Sequence, residues 1–174
     1  MRRLAILDER VFQWIATLPS IQPEKRIPKL FFYISKTGDG YFYAPIAFLL
    51  YYLDTEHGSV FVFTAIMAYV LEIPIYLAMK HVFKRPRPCD YLHHLNALII
   101  PSDKFSLPSG HTAAAFLMAT VVSQFYPSLT AVAFIWASLI GASRLVLRVH
   151  FPLDVIIGAT LGVFIAQVSI SILG

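Results

Sequence analysis

Long apolar runs separated by short polar segments follow one another along most of the chain. The cleanest run covers residues 155–173 and contains no charged residue, and the run over 60–79 is interrupted only by Glu72. A helix needs about 20 apolar residues to cross a bilayer, and fewer where neighbouring helices bury it. The pattern therefore predicts five membrane-spanning helices. They cover residues 41–53, 60–79, 112–126, 129–149 and 155–173.

The N-terminal segment has a different pattern. Between residues 4 and 18, apolar side chains stand at positions 4, 7, 11, 14, 15 and 18, the spacing of one helical face, with Asp8, Glu9 and Arg10 off that stripe. We interpret this segment as an amphipathic helix in the membrane interface, and a sixth spanning helix is the alternative. The predicted fold is an all-α, polytopic integral membrane bundle of five to six helices. One domain covers residues 1–174, with interfacial helices in 1–40 and the transmembrane core in 41–174.

Three local features add detail to this architecture. The loop from Lys84 to Gly110 is too long to lack structure in so small a protein, and its apolar stretch over residues 91–100 predicts a surface helix. Gly158 and Gly162, four residues apart in the last span, predict close helix packing. Glu72 lies in mid-span, where we expect its carboxylate to bond backbone exposed near Pro74 or a neighbouring helix.

Composition supports a membrane protein. Hydrophobic residues make up 57% of the 174 residues and charged residues only 14%, whereas a soluble domain carries roughly 25% charged residues. These figures exclude a disordered chain, a disulfide-built miniprotein and a soluble nucleic-acid binder. The formal net charge is +4, and the basic residues flank apolar spans, which favours anionic lipid head groups as their partner over nucleic acid.

The five predicted spans also sort the charges by side. The loop 84–110 and the turn 149–155 fall on one side, together with all fourteen Lys and Arg residues, while the turns 54–58 and 127–128 fall on the other. A basic bias of this kind is typical of the cytoplasmic face. Some of these bases belong to the motifs described next, however, so the orientation of the protein in the membrane stays open.

Three motifs lie in order on the basic side. Each is weak alone, but together, at one depth of the membrane, they form a specific signal. They are Lys80-x6-Arg87-Pro88, Pro108-Ser109-Gly110-His111 and Ser143-Arg144-x5-His150-x3-Asp154.

These residue types suit the chemistry of a phosphate ester, whose charge must be neutralised before a nucleophile approaches. Lys80, Arg87 and Arg144 supply three positive charges, and Arg can hold phosphate oxygens bidentately. Ser109 is placed as the N-cap of the following helix, and Gly110 allows close approach to the free N–H groups of that helix end, a ready anion site.

The third motif places a histidine beside a carboxylate. Pro152 suits the first turn of the last helix, so His150 lies on a bend and Asp154 lies one turn inside that helix. A carboxylate that accepts one ring N–H leaves the other imidazole nitrogen free to attack phosphorus.

With these motifs the sequence resembles the type-2 phosphatidic acid phosphatase family, membrane relatives of the vanadium haloperoxidases. The resemblance covers residues 60–173, and every signature position matches. It implies that His150 is the nucleophile that forms a phosphohistidine, and that His111 is the acid that protonates the leaving oxygen. It also implies a reaction without metal or cofactor. The implied substrate is a lipid phosphate or diphosphate, with undecaprenyl diphosphate, phosphatidic acid and phosphatidylglycerol phosphate as candidates.

Two other functions are compatible with the same motifs. A phosphotransferase would use this site but pass the phosphate from His150 to another lipid instead of water. A non-catalytic scaffold or transporter is less well supported, because no motif residue is missing and the chain lacks the paired inverted repeats typical of transporters.

Overall fold

The computed structural model describes residues 2–92, 95–101 and 103–173. Within these ranges the chain is helical and contains no β-strand. The two short 3-10 turns are Pro19–Ile21 and Pro127–Leu129. The α-helices, in chain order, are α1 (Arg2–Thr17), α2 (Arg26–Thr37), α3 (Tyr43–Leu53), α4 (Gly58–Phe83), α5 (Pro88–Tyr91), α6 (Gly110–Phe125), α7 (Thr130–Val146) and α8 (Pro152–Leu173).

Each predicted span coincides with a helix, namely α3, α4, α6, α7 or α8. By length and composition, three segments of the described chain are suited to crossing a membrane: Gly58–Tyr91, Pro127–Val146 and Pro152–Leu173. Helices α3 and α6 are apolar but shorter, with 11 and 16 residues. The all-α membrane architecture is confirmed, and the number of spanning helices stays a prediction.

Helix α6 lies at the centre and packs against α4, α7 and α8. Its contact with α8 is close because glycine occurs where the two backbones meet. A Cβ atom on Gly162 would collide with the carbonyl oxygen of Ala113, and one on Gly158 would lie 2.6 Å from that of Ser109. The predicted role of this glycine pair in helix packing is confirmed, and the contact brings the start of α6 against the start of α8.

Large apolar side chains cover the outside of the bundle. Val70, Val132 and Phe164 are each about two-thirds exposed, at 64%, 66% and 66%. An apolar surface of this kind suits the hydrocarbon of a bilayer, whereas a soluble protein rarely exposes extended apolar patches.

Helix α1 packs through the face that is not its apolar stripe. Asp8, Phe12 and Ala16 are buried, whereas Leu4 and Trp14 of the predicted stripe are 60% and 65% exposed. Phe12 meets the ring of Phe151, just before α8, edge-on with ring centroids 5.2 Å apart. The stripe therefore faces outward, which fits both an interfacial helix and a sixth spanning helix, and the opposite face reaches the bend that carries the third motif.

The predicted helix over residues 91–100 is wrong for the described part of that segment. Helix α5 ends at Tyr91, and residues 95–101 are not helical. The physical reason is a tertiary bond, since the N–H of Leu98 donates to the carbonyl of Leu147 at 3.1 Å and not to a residue one turn back. His93 and His94 lie outside the described residues.

Candidate active site

The three motifs meet at the ends of α4, α6, α7 and α8, beside a cavity of about 950 Å³. His111, Arg144 and His150 line this cavity together with Asp39 and Asp103. The motif residues are far apart in sequence, and the packing of α6 on α8 is what brings the second motif to the third.

Lys80 and Arg87 hold a carboxylate between them. The ammonium group of Lys80 donates to Oδ1 of Asp103 at 2.9 Å, and Nη2 of Arg87 donates to the same oxygen at 2.8 Å. Partial burial by itself would raise the pKa of Asp103, but the bonds from Lys80 and Arg87 outweigh it and hold that pKa below its usual range. This pair of cations therefore forms an anion site, which Asp103 fills.

Arg144 is the third buried cation. One of its terminal nitrogens donates to the hydroxyl of Ser35 on α2, while its Nε is buried without a hydrogen-bond partner. Arg144 lines the cavity, and a guanidinium in such a wall is suited to an anionic ligand.

Ser109 occupies the predicted N-cap position at the start of α6, but its side chain does not make the predicted capping bond. Ser109 is the N-cap, yet its hydroxyl accepts from Thr112 Oγ1 at 2.9 Å and makes no capping bond to the backbone. Gly110 faces the ring of Tyr76, which a Cβ atom would approach to 3.1 Å. The absence of a side chain on Gly110 therefore lets this ring pack against the start of α6.

His150 is buried, at 2% exposed, on the bend between α7 and α8. Its Nδ1 lies 3.6 Å from Oδ2 of Asp154, longer than a hydrogen bond, and its Nε2 lies 3.4 Å from Nη1 of Arg87. Desolvation lowers the pKa of His150 to about 4, and the nearby Arg87 and Arg144 act in the same direction. The ring is therefore neutral at pH 7.

The neighbours of His150 fix its tautomer. Arg87 can only donate, so the ring nitrogen facing it, Nε2, carries the lone pair. The proton is then on Nδ1, on the side of Asp154. This is the tautomer that a nucleophilic Nε2 requires.

His111 pairs with a carboxylate that lies outside the three motifs. Its Nε2 bonds Oδ1 of Asp39 at 2.8 Å. Asp39 lies in the turn between α2 and α3. Burial would raise its pKa, but the bonds from His111 and Lys36 outweigh this effect and keep the pKa lowered.

Two successive ion pairs link Asp154 to α1 through Arg85. Its Oδ1 accepts from Arg85 at 2.8 Å, and Arg85 also pairs with Asp8. Asp8 in turn accepts from the N–H of Leu153 at 2.8 Å. Arg85 lies over the ring of Phe151 and pairs with both buried carboxylates.

Five residues at the site escape prediction from sequence. They belong to no motif; four of them bond motif residues directly, and Asp8 is linked to Asp154 through Arg85. They are Asp8, Ser35, Asp39, Arg85 and Asp103. The only local signal is the position of Asp8 off the apolar stripe of α1, which marks a polar face but not what that face contacts.

Comparison with known proteins assigns the fold to a family. The PAP2 superfamily matches residues 57–174. A protein of Sulfolobus acidocaldarius named undecaprenyl-diphosphatase is 30% identical over 145 residues, which cover 82% of this chain and 69% of that protein. The chain belongs to the PAP2 superfamily, and the predicted resemblance is confirmed.

Solved structures agree. The crystal structure of LpxE from Aquifex aeolicus superposes with a TM-score of 0.80 at 32% identity, covering 93% of both chains. A PAP2-type phosphatidylglycerolphosphate phosphatase from Bacillus subtilis superposes with a TM-score of 0.76 at 21% identity, covering 99% of this chain and 87% of that one, and shows the shared fold. The protein is a multi-pass membrane enzyme, a phosphatase of the PAP2 lipid phosphatase family.

Proposed function

We propose that the chain hydrolyses the phosphate or diphosphate ester of a membrane lipid through a phosphohistidine on His150, without a metal ion. One observation carries the proposal. His150 is a buried, neutral imidazole whose Nε2 lies 3.4 Å from the guanidinium of Arg87, on the wall of a large cavity. A neutral ring nitrogen beside a cation is placed to attack an anionic phosphate.

The phosphate would bind among the three cations. Lys80 and Arg87 now share the carboxylate of Asp103, and a phosphate would replace that carboxylate as their anion. Arg144 would add its positive charge from the cavity wall, and Ser109 and Gly110 would contribute the positive end of α6. Positive charge on several sides stabilises the equatorial oxygens as phosphorus becomes five-coordinate.

The reaction has two steps. The lone pair on Nε2 of His150 attacks the terminal phosphorus, and the bond from that phosphorus to its leaving oxygen breaks. This oxygen belongs to the lipid alcohol in a monophosphate and to the lipid monophosphate in a diphosphate, and His111 gives its proton to it. Water then attacks phosphorus, its proton passes to His111, and the phosphorus–nitrogen bond breaks to release inorganic phosphate. Burial and the nearby Arg144 lower the pKa of His111, and the bond to Asp39 opposes them by favouring the protonated ring. Asp154 faces the proton on Nδ1 of His150.

Undecaprenyl diphosphate is the first substrate to test, because its diphosphatase is the named activity of the Sulfolobus relative. Phosphatidic acid and phosphatidylglycerol phosphate complete the panel. We would measure release of inorganic phosphate by the purified protein in detergent. His150→Ala should abolish release, whereas His57→Ala should not, since His57 is exposed before α4, at the end of that helix opposite Lys80.

Activity at the wild-type level in His150→Ala would end the proposed mechanism. Vanadate, which mimics five-coordinate phosphorus, should inhibit, whereas EDTA should leave the rate unchanged. No release from any lipid, combined with transfer of labelled phosphate to an added lipid alcohol, would identify a phosphotransferase instead.

A further inference from the structure

A basic residue outside the three motifs lines the cavity. Among the described residues of the cavity wall, the lysine and arginine side chains are Lys36 and Arg144, and Arg144 belongs to the third motif. Lys36 lies in the last turn of α2, and its side chain is 58% exposed. This side chain is therefore open to a ligand that enters the cavity.

Two contacts hold Lys36 in place. Its ammonium group donates to Oδ2 of Asp39 at 3.0 Å and lies over the ring of Phe32, 5.8 Å from the ring centroid. Both partners line the same cavity. A lysine ammonium has three N–H groups, and within the described part of the chain Asp39 is the only residue that accepts from this one. Lys36 therefore keeps donors for an anionic ligand.

Asp39 determines where Lys36 lies relative to the reaction. The Oδ1 atom of Asp39 bonds Nε2 of His111 at 2.8 Å, while its Oδ2 accepts from Lys36. A single carboxylate thus separates Lys36 from the proposed acid. The residue before Lys36 on α2 is Ser35, whose hydroxyl accepts from Arg144. The end of α2 therefore places Lys36 beside the group that protonates the leaving oxygen and close to a proposed phosphate-binding cation.

The part of the wall that α4 forms is unsuited to a second anion. Glu72 is only 3% exposed, and its Oε1 has no hydrogen-bond partner. This oxygen therefore does not make the expected bond to backbone near Pro74 or to a neighbouring helix. Ile73, the next residue on this wall, is apolar. Neither an acid nor an apolar side chain attracts a phosphate, so the wall formed by α2 is the better place for one.

We propose that Lys36 binds the second phosphate of a lipid diphosphate, the phosphate that leaves with the lipid, and thereby makes the enzyme select diphosphates over monophosphates. This inference rests on the proposed function, in which His111 protonates the leaving oxygen. A leaving alcohol is neutral once it has taken this proton, whereas a leaving lipid monophosphate stays anionic. A cation beside His111 therefore stabilises the second kind of leaving group and contributes little to the first.

A pair of lipids with one tail tests the proposal, since undecaprenyl diphosphate and undecaprenyl phosphate differ by a single phosphate. Lys36→Gln should lower kcat/KM for the diphosphate about tenfold, the worth of one charge-assisted hydrogen bond, and leave kcat/KM for the monophosphate nearly unchanged. Lys36→Arg keeps the positive charge and should keep most of the activity on the diphosphate. Lys29→Gln removes an exposed charge from the same helix and should match the wild type with both lipids.

The monophosphate separates a phosphate subsite from an indirect effect. Loss of Lys36 also frees Oδ2 of Asp39, and any consequence for His111 would change the rate with both lipids. An equal loss for the two lipids, or an unchanged ratio, would overturn the inference while leaving the phosphatase intact. Lys36→Gln should keep the wild-type melting temperature in detergent, because an exposed ion pair contributes little to stability. A clear drop in melting temperature would count against the subsite by showing that the fold needs Lys36.

Binding measured without turnover tests the subsite separately from the reaction. In His150→Ala, the added Lys36→Gln change should weaken binding of undecaprenyl diphosphate about tenfold and leave binding of undecaprenyl phosphate unchanged. This result without any His150-dependent release of phosphate would support the subsite and overturn the proposed reaction. Release that depends on His150, with binding and rates that do not depend on Lys36, would overturn the subsite and support the reaction.

Discussion

The two N-terminal helices and the motif-bearing helices meet at one site, but they contribute different kinds of residue. Helices α4, α6, α7 and α8 and their connections supply the cations and both histidines. The segment from α1 to the turn after α2 supplies oxygen acceptors: Asp8 for Arg85, Ser35 for Arg144 and Asp39 for His111. The PAP2 superfamily match begins at residue 57, after all three acceptors. The groups that we propose to react thus lie inside the matched region, while the groups that we propose to orient them lie before it.

The two histidines show the same contrast. The carboxylate near His150 is Asp154, four residues later in the same motif. The carboxylate bonded to His111 is Asp39, 72 residues earlier in the chain. One histidine is oriented locally and can be predicted from spacing, and the other depends on how the N-terminal segment packs.

The largest effect that would test this comparison is expected from Asp39→Asn. The variant keeps the shape of the side chain but removes the charge that supports a protonated His111. General acid catalysis is typically worth 10²–10⁴-fold, so we expect kcat to fall about fiftyfold with KM nearly unchanged, as measured by phosphate release. Asp90→Asn, an exposed acid on α5, should behave as the wild type. A wild-type kcat in Asp39→Asn would show that the N-terminal turn has no part in the proton transfer.

A smaller effect is expected one step further from the reaction, at Asp8. Asp8→Asn keeps an oxygen for the N–H of Leu153 but removes the charge that pairs with Arg85. Asp154 then loses part of its support, and small errors of position at the nucleophile reduce the rate. We expect kcat to fall about tenfold with little change in KM.

Neighbouring Glu9 provides the control for Asp8. Glu9→Gln changes a charge on the same helix at a side chain that contacts only Gln13 among the bonds of the described residues. If both variants lose the same activity, the loss reports on α1 as a whole and not on the Asp8–Arg85–Asp154 chain.

The parts of the fold that could be predicted from sequence are those set by local pattern. The apolar runs at 60–79 and 155–173 became α4 and α8 because a bilayer requires helices to satisfy backbone groups internally. The helix predicted over residues 91–100 was wrong for the described part of that segment because the N–H of Leu98 bonds the carbonyl of Leu147 on another segment. Apolar composition alone does not distinguish a surface helix from a non-helical segment that is held by hydrogen bonds to other parts of the chain.

The candidate site also has a part that could be predicted from local pattern and a part that could not. The motifs place His111 and His150 on one side of the membrane because spacing and span order determine which helix ends meet. The pairing of Asp103 with Lys80 and Arg87, or of Asp8 with Arg85, joins segments whose distance in sequence carries no signal. The outward orientation of the apolar stripe of α1 could not be predicted either, because an apolar face can be covered by lipid or by protein and its sequence pattern is the same in both cases.

The smallest expected effect is the change of kcat with pH, which tests how the surroundings of His150 differ from those of His111. Burial lowers the pKa of His150 to about 4, and only the neutral ring can attack phosphorus. Activity should therefore persist as the pH falls through 6.5, where an exposed histidine becomes protonated, and kcat should be halved only near pH 4. Recovery after return to pH 7 controls for unfolding. A reversible loss centred near pH 6.5 would mean that water reaches His150 and that the surrounding helices do not seal the nucleophile.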